Sequence, residues 1–195
     1  TTEIYTLSLH DALPIWHLAG VHTLRTLDDC LAIRAALEGV PRRLVVVGAG
    51  FIGSEVASVA VDRGVEVTMV EALPVPLVRV LGAEIGTTMA DLHRSHGVDL
   101  RCGVGVVELV GEDRVRAVML DDGSVIEADM VVVGIGVVPN TDWLESSGLD
   151  LDDGVCCDVT CLAAPDVTAA GDVARWDHPR YGRSVRVEHW DNAVE

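Results

Sequence analysis

The stretch Leu44–Ala57 reads LVVVGAGFIGSEVA: an apolar run ending in three valines leads straight into Gly48, Gly50 and Gly53 at G-x-G-x-x-G spacing. So short a run, rich in β-branched residues, predicts a buried strand rather than a buried helix. The residues after Gly53 carry helical spacing as far as Arg63, so the glycines sit between a strand and a helix. Each has its own task there. Gly48 permits the tight turn, Gly50 lets backbone N–H groups approach a pyrophosphate with no Cβ in the way, and Gly53 lets helix and strand pack closely. Phe51 and Ile52 complete the loop between the last two glycines. The unpaired N–H groups and the dipole of the helix N-terminus favour an anion by about 0.3–1 kcal/mol per charge in exposed cases. A glycine-rich turn in an ordinary α/β protein would show the same three glycines, so the motif alone leaves two readings.

Glu71 separates them. It ends the next predicted strand, Val65–Val70, and lies 18 residues beyond Gly53, close to the roughly 20 expected for an acid that binds a ribose. A carboxylate there accepts hydrogen bonds from both ribose hydroxyls and repels a 2′-phosphate, which favours NADH over NADPH; the nearest following arginine is Arg79. The other reading of Glu71 is a solvated acid at a strand end. Outward from this β-α-β unit the alternation continues. Ala83–His96 reads as a helix closed by Gly97, Val98–Arg101 as a third parallel strand, and Asp129–Val133 as a buried strand ending in Gly134-Ile135-Gly136. Between Val104 and Ile126 the runs are short and β-rich, with Asp122-Gly123 as a hairpin turn, which predicts an antiparallel meander inserted in the sheet. Upstream, Leu27–Glu38 has helical spacing after Thr26, a candidate N-cap. Pro139-Asn140-Thr141 opens a short helix near Trp143, and DVTAAGDVA is a strand running into a Gly-Asp corner. The fold class expected is α/β, a Rossmann-like parallel sheet with an antiparallel meander.

Bulk composition narrows the function. The 195 residues suffice for one complete domain and part of another, and 49% hydrophobic against 23% charged residues is the balance of a folded chain. Thirty-one acids against fourteen bases give a net charge of −17, which opposes attraction to nucleic acid or anionic lipid. No apolar run approaches the roughly 20 residues of a membrane span. The five cysteines show no C-x-x-C pair, and no histidine stands at ligand spacing from the last three, so no metal site is expected. Their odd number and the lack of a secretory signal point to a cytoplasmic protein. No side-chain nucleophile or acid–base catalyst stands out.

GVHTLRTLDDCLAIRAAL, VVVGAGFIGSEVA, GIGVVPNT and AAGDVARW together resemble the FAD-dependent pyridine nucleotide reductases of the rubredoxin and ferredoxin reductase group, over about Gly20–Glu195. The resemblance implies two interleaved nucleotide-binding domains, with an NAD domain inserted into an FAD domain. The expected boundaries are a lead-in at 16–40, an NAD(H)-binding domain at 41–154 and a partial return to the FAD-binding domain at 155–195. Residues 1–15, TTEIYTLSLHDALPI, read as a non-native scar. By resemblance Gly171 and Asp172 contact FAD, Asp172 through the ribityl chain, although a turn-forming Asp after a strand is the other reading. Trp190 of Glu188-His189-Trp190 borders the flavin or else fills the core. Glu55, in the first turn of the glycine-loop helix, is either an acid near the nicotinamide or a complement to the dipole. Gly134 and Gly136 form a second glycine turn beside the cofactors. The implied reaction passes electrons from NADH through FAD to a ferredoxin or rubredoxin of an oxygenase system. Arg175, Arg180, Arg183 and Arg186 are the expected docking edge, centred near Arg183, or else pair with Asp177 and Glu188. With 47 residues ahead of Gly48, the FAD phosphate motif and the C-terminal interface domain are expected to lie outside this sequence, leaving the chain alone a weak FAD binder. The alternatives are an enzyme like the NADH oxidases or coenzyme A disulfide reductases, which the Glu188-His189-Trp190 segment disfavours, and a noncatalytic NADH-binding module.

Overall fold

The computed structural model describes residues 18–39 and 41–193; the proposed scar at 1–15 lies outside them. The chain divides into two compact units that meet at Gly136 and Val137.

The first unit follows from the valine runs. Strands β1 (Val21–Thr23), β2 (Arg43–Val47), β3 (Glu66–Glu71), β4 (Asp99–Cys102) and β8 (Met130–Val133) form one sheet in the order β1-β8-β2-β3-β4, parallel throughout. Side chains alternate faces along a strand, and here both faces are buried, which is why β2 and β8 are apolar without interruption. Leu44, Val46, Met69, Met130 and Val132 pack on one face. They meet Ile33 and Leu37 of α1 (Leu27–Glu38), Val56, Ala57 and Ala60 of α2 (Phe51–Asp62), and Ala90 of α3 (Val78–Ser95). Val45, Val70, Val131 and Val133 pack on the other, against Leu109, Val118, Leu120 and Ile126 of strands β5 (Val106–Gly111), β6 (Val115–Leu120) and β7 (Val125–Glu127). Each fully buried valine is worth about 1.5–3 kcal/mol, so the two layers hold the central strands from both sides.

The α/β expectation holds, with two adjustments. The meander is not intercalated among the parallel strands: β5, β6 and β7 form an antiparallel sheet of their own, closed at Asp122-Gly123 as expected, that lies on the sheet's second face. In addition, β1 pairs with β8, in a lead-in where only the helix was expected. Thr26 caps that helix: its hydroxyl accepts from Asp29 N (3.2 Å), and Asp29 Oδ2 accepts from Thr26 N (2.8 Å), a capping box. Helix α3 is interrupted at Gly82 (φ 79°, ψ 171°), so its regular part starts at Ala83, where the spacing predicted it.

The second unit holds two small sheets, β10 (Leu162–Ala164) with β11 (Val167–Thr168), and β13 (Arg183–Arg186), β12 (Ala174–His178) and β9 (Val155–Cys157) in that order. Its core is Val155, Ala169 and Ala174 with Leu144, Leu149 and Leu151 packed on them. Residues 137–154 therefore cluster with the second unit, whereas the sequence carried the NAD(H)-binding segment on to 154. Among the described residues no helix is long and apolar enough to cross a membrane.

One buried polar contact ties the helices together. His93, 8% exposed on the inward face of α3, lies 3.1 Å through Nε2 from Ser54 Oγ at the start of α2. Burial first, and the charge of His96 second, hold its imidazole below the ordinary 6.5. His22 is lowered in the same direction, by burial, then by Arg114, against Asp29. A depressed histidine is neutral in the folded state while the unfolded chain still takes up the proton, so stability rises with pH between the two values. Stability measured by denaturant unfolding should therefore be level from pH 6.5 up to the alkaline range in which thiols titrate, and fall as pH drops below 6.5. The window differs from that of Asp29, Asp122 and Asp158, whose carboxyls hydrogen bonds hold below 3.8. His93→Gln should flatten the loss below 6.5; an unchanged profile would remove His93 as its source.

Candidate dinucleotide site

The loop from β2 to α2 is built by close backbone contacts. Gly48 has φ +101°, and a Cβ on it would overlap the carbonyl oxygen of Gly134. Gly48 N donates to Val70 O (2.8 Å) and Gly134 N to Val47 O (2.8 Å), so the ends of β2, β3 and β8 are laced together at the carboxyl edge of the sheet. A Cβ on Gly53 would overlap the Gly48 carbonyl oxygen, whereas one on Gly50 would meet nothing within 4 Å. Gly48 and Gly53 are thus set by packing, and Gly50 stands beside open space. Gly50 is the N-cap of α2 and no side chain caps the helix, so the amides of its first turn keep their pull on an anion. Phe51 (57% exposed) and Ile52 flank that opening with apolar surface.

Glu71 reaches this loop. Its Oε2 accepts from Ala49 N (2.9 Å) and its Oε1 from Leu73 N (2.8 Å). A carboxylate has about four lone-pair positions, so each oxygen retains one for a further donor. The acid thus does two things that spacing alone did not reveal: it fixes the amide between the first two glycines, and it offers a pair of acceptors beside them. Cys102, paired with Glu71 across β3 and β4, has its thiol pushed up by burial, with Arg94 opposing and Glu71 adding to the rise.

Other predicted residues fall as follows. Gly134 follows β8 and lies beside Ile52, and Gly136 (φ +117°) has no atom within 4 Å of a Cβ position. Glu55 is exposed and stands in the second turn of α2, because the helix starts at Phe51 rather than Gly53. Its reading as a complement to the dipole weakens accordingly, since that effect fades beyond the first turn. In the second unit, Gly171 (φ +75°) is buried and its carbonyl accepts from Asn192 Nδ2 (2.8 Å). Asp172 is exposed, and its carboxylate has no hydrogen bond or ion pair among the described residues. The Trp190 side chain lies outside what is described. Two members of the arginine patch are committed elsewhere: Arg175 pairs with Asp152 (3.1 Å), and Arg186, its side chain 11% exposed, pairs with Asp153 (3.2 Å) and Glu188 (2.8 Å). Glu188 had been expected as a partner; Asp152 and Asp153 had not. Arg180 and Arg183 make no side-chain ion pair among the described residues.

The sequence also missed Ser54 and His93, although buried Gly86, Ala90 and His93 recur at helical spacing and that period places the histidine inward. A cavity of about 360 Å³ lies at the other end of the sheet, where β2, β3 and β4 begin, lined by Arg42, Arg43, Glu66, Asp99, Arg101 and Glu127. Its cations are largely satisfied internally, Arg43 by Glu127 and Asp129 and Arg101 by Asp99. Ligands of open α/β sheets bind at the carboxyl ends of the strands, which leaves the glycine loop as the candidate. Among the described residues no group of histidine, cysteine or acid is arranged to hold a metal.

Residues 10–195 match the family model described as pyridine nucleotide-disulphide oxidoreductase. The chain is 44% identical to the 5,5′-dehydrodivanillate O-demethylase ferredoxin reductase subunit of a Sphingobium species, over 89% of this chain and 43% of that protein. It superposes on a ferredoxin reductase from Rhodopseudomonas palustris with a TM-score of 0.87 at 38% identity, covering 93% of this chain and 45% of that one. Against putidaredoxin reductase in its covalent complex with putidaredoxin the TM-score is 0.84 at 36% identity, covering 90% and 43%. The chain thus spans less than half the length of these relatives.

The glycine contacts give a paired test. Gly53→Ala should cost about 1–3 kcal/mol, the usual cost of overpacking, whereas Gly50→Ala should stay within about 1 kcal/mol. Equal losses in denaturant unfolding would mean that the packing at Gly53 is not as described.

Proposed function

The chain belongs to the pyridine nucleotide-disulphide oxidoreductase family, and from that premise we propose that it is the NADH-binding part, with a portion of the FAD-binding part, of a reductase that passes electrons from NADH through FAD to a ferredoxin or rubredoxin of an oxygenase system. The observation that carries the reading is the uncapped start of α2 beside Gly50, with the Glu71 carboxylate fastened to the Ala49 amide next to it. Gly48, Gly50, Phe51, Ile52 and Gly53 receive the pyrophosphate on backbone amides, and Glu71 accepts the two ribose hydroxyls on its remaining lone pairs. Glu55, Gly134 and Gly136 border the nicotinamide end. In the second unit, the unpaired carboxylate of Asp172 suits a polyol chain, Gly171 admits it closely, and Trp190 borders the flavin. FAD held there would supply the redox chemistry that links a two-electron donor to a one-electron acceptor. The chain's own task is to orient the nucleotide and exclude water, which requires no catalytic side chain or metal.

The partner is a small iron-sulfur carrier, a reading supported by relatives named as a ferredoxin reductase subunit and as putidaredoxin reductase in complex with putidaredoxin. On an acidic protein its approach needs a local cationic surface, and Arg180 and Arg183, left after Arg175 and Arg186 are paired internally, supply it. The free cysteines and the acidic surface suit a cytoplasmic protein with neither nucleic acid nor membrane as partner.

Calorimetric titration with NADH and with NADPH tests the nucleotide reading. NADH should bind more tightly. Hydrogen bonds to a charged group are worth about 1.5–3 kcal/mol, so Glu71→Ala should weaken NADH by about tenfold or more, and Glu71→Gln, lacking the repulsive charge, should narrow the gap to NADPH. Equal affinities in the unaltered chain would remove Glu71 as the selector. In the whole reductase, Arg183→Glu should slow ferredoxin reduction and flatten its salt dependence; unchanged rates would move the docking edge elsewhere.

A further inference from the structure

The nucleotide reading uses none of the cysteines. All five are free thiols, and two of them share one turn of the second unit. Cys157 ends β9, and Cys161 follows four residues later with φ 63°, a left-handed conformation that residues other than glycine seldom adopt. Asp158 holds the turn in that shape: its Oδ1 accepts from Thr160 N (2.8 Å), Thr160 Oγ1 (2.6 Å) and Leu162 N (3.1 Å). Backbone bonds from Cys161 N to Asp158 O (2.9 Å) and from Asp158 N to Leu162 O (3.0 Å) close it. The turn carries both thiols at its ends, near enough for Cys161 to act on Cys157, and both are half-buried, so that a small reagent can reach them. Cys156 precedes Cys157 on the same strand, where successive side chains take opposite faces. Cys30 and Cys102 belong to the first unit.

From this turn we propose that Cys157 and Cys161 are a redox-active dithiol, which a low-molecular-weight disulfide converts to an intramolecular disulfide. Cys161, as thiolate, attacks one sulfur of the small disulfide; that S–S bond breaks and the first small thiol leaves, taking up the proton Cys161 gave up. Cys157 then loses its proton and attacks the Cys161 sulfur of the mixed disulfide, forming the Cys157–Cys161 bond and releasing the second small thiol. Two protein thiols are oxidised by two electrons, and one small disulfide is reduced to two thiols. Burial, reinforced by Cys161, raises the Cys157 thiol above its ordinary value, which suits the second, resolving position. Closure also withdraws the S–H that Cys157 donates to Arg175 O (3.3 Å) on β12, the strand that follows the Gly171–Asp172 corner.

The test is a redox titration of the folded chain with oxidised and reduced glutathione, read by thiol counting and by mass spectrometry of the peptides spanning Cys156, Cys157 and Cys161. The expected product has lost two thiols and two hydrogens between Cys157 and Cys161, at a disulfide-to-thiol ratio about tenfold lower than the urea-unfolded chain requires. Cys156→Ser should close in the same way, whereas Cys157→Ser and Cys161→Ser should each stop at a glutathione adduct. Using both variants, with folding checked by circular dichroism, keeps the result readable if one of them unfolds. A stable glutathione adduct on the unaltered chain, a bond through Cys156, or equal closure in the folded and unfolded chains would each overturn the proposal.

Discussion

The carbonyl oxygen of Gly48 stands where a side chain on Gly53 would have to begin. That approach sets how closely α2 can sit on the end of β2, and the rest of the site depends on it. A helix held this close carries its first-turn amides to the carboxyl edge of the sheet. The same turn passes Ala49 to Glu71 and Gly48 to Gly134, so three strand ends and one helix N-terminus are fixed by a handful of backbone contacts. A larger residue at either glycine would force strand and helix apart, and the amides would no longer converge.

The layers on either side of the sheet make such a loop tolerable. Gly48 and the open ground beside Gly50 contribute little apolar burial, but the valines behind them are covered on both faces, by three helices on one side and the β5–β7 sheet on the other. The site can therefore present unsatisfied amides at its rim because its foundation is apolar and closely packed. The second unit has a much smaller core and adds polar contacts at its surface, as where the largely buried Arg186 pairs with the exposed carboxylates of Asp153 and Glu188.

What the sequence disclosed follows from the range of the interactions concerned. The valine strands, the Thr26 cap, the Asp122-Gly123 turn and the roles of Gly48 and Gly53 are local features, and each sits where its own residues predict it. The pairing of β1 with β8, the placing of the meander on a face of the sheet and the arginine partners Asp152 and Asp153 depend on residues distant in sequence, for which periodicity carries no signal. Glu71 falls between these cases: its spacing from Gly53 marked it, but only the fold shows it fastened to Ala49. Glu55 shows the opposite limit, since a difference of two residues in where the helix starts moves it from the first turn to the second.

Whether a nucleotide sits on the amides of the glycine loop is decided by amide-resolved NMR during titration of the isotope-labelled chain with NADH. Perturbations should concentrate at Ala49 to Ser54, Leu73 and Gly134 to Gly136 and fade toward the far end of the sheet. A response centred on Arg42, Arg43 and Arg101, or saturable binding that leaves the Gly50 to Gly53 amides unmoved, would contradict it.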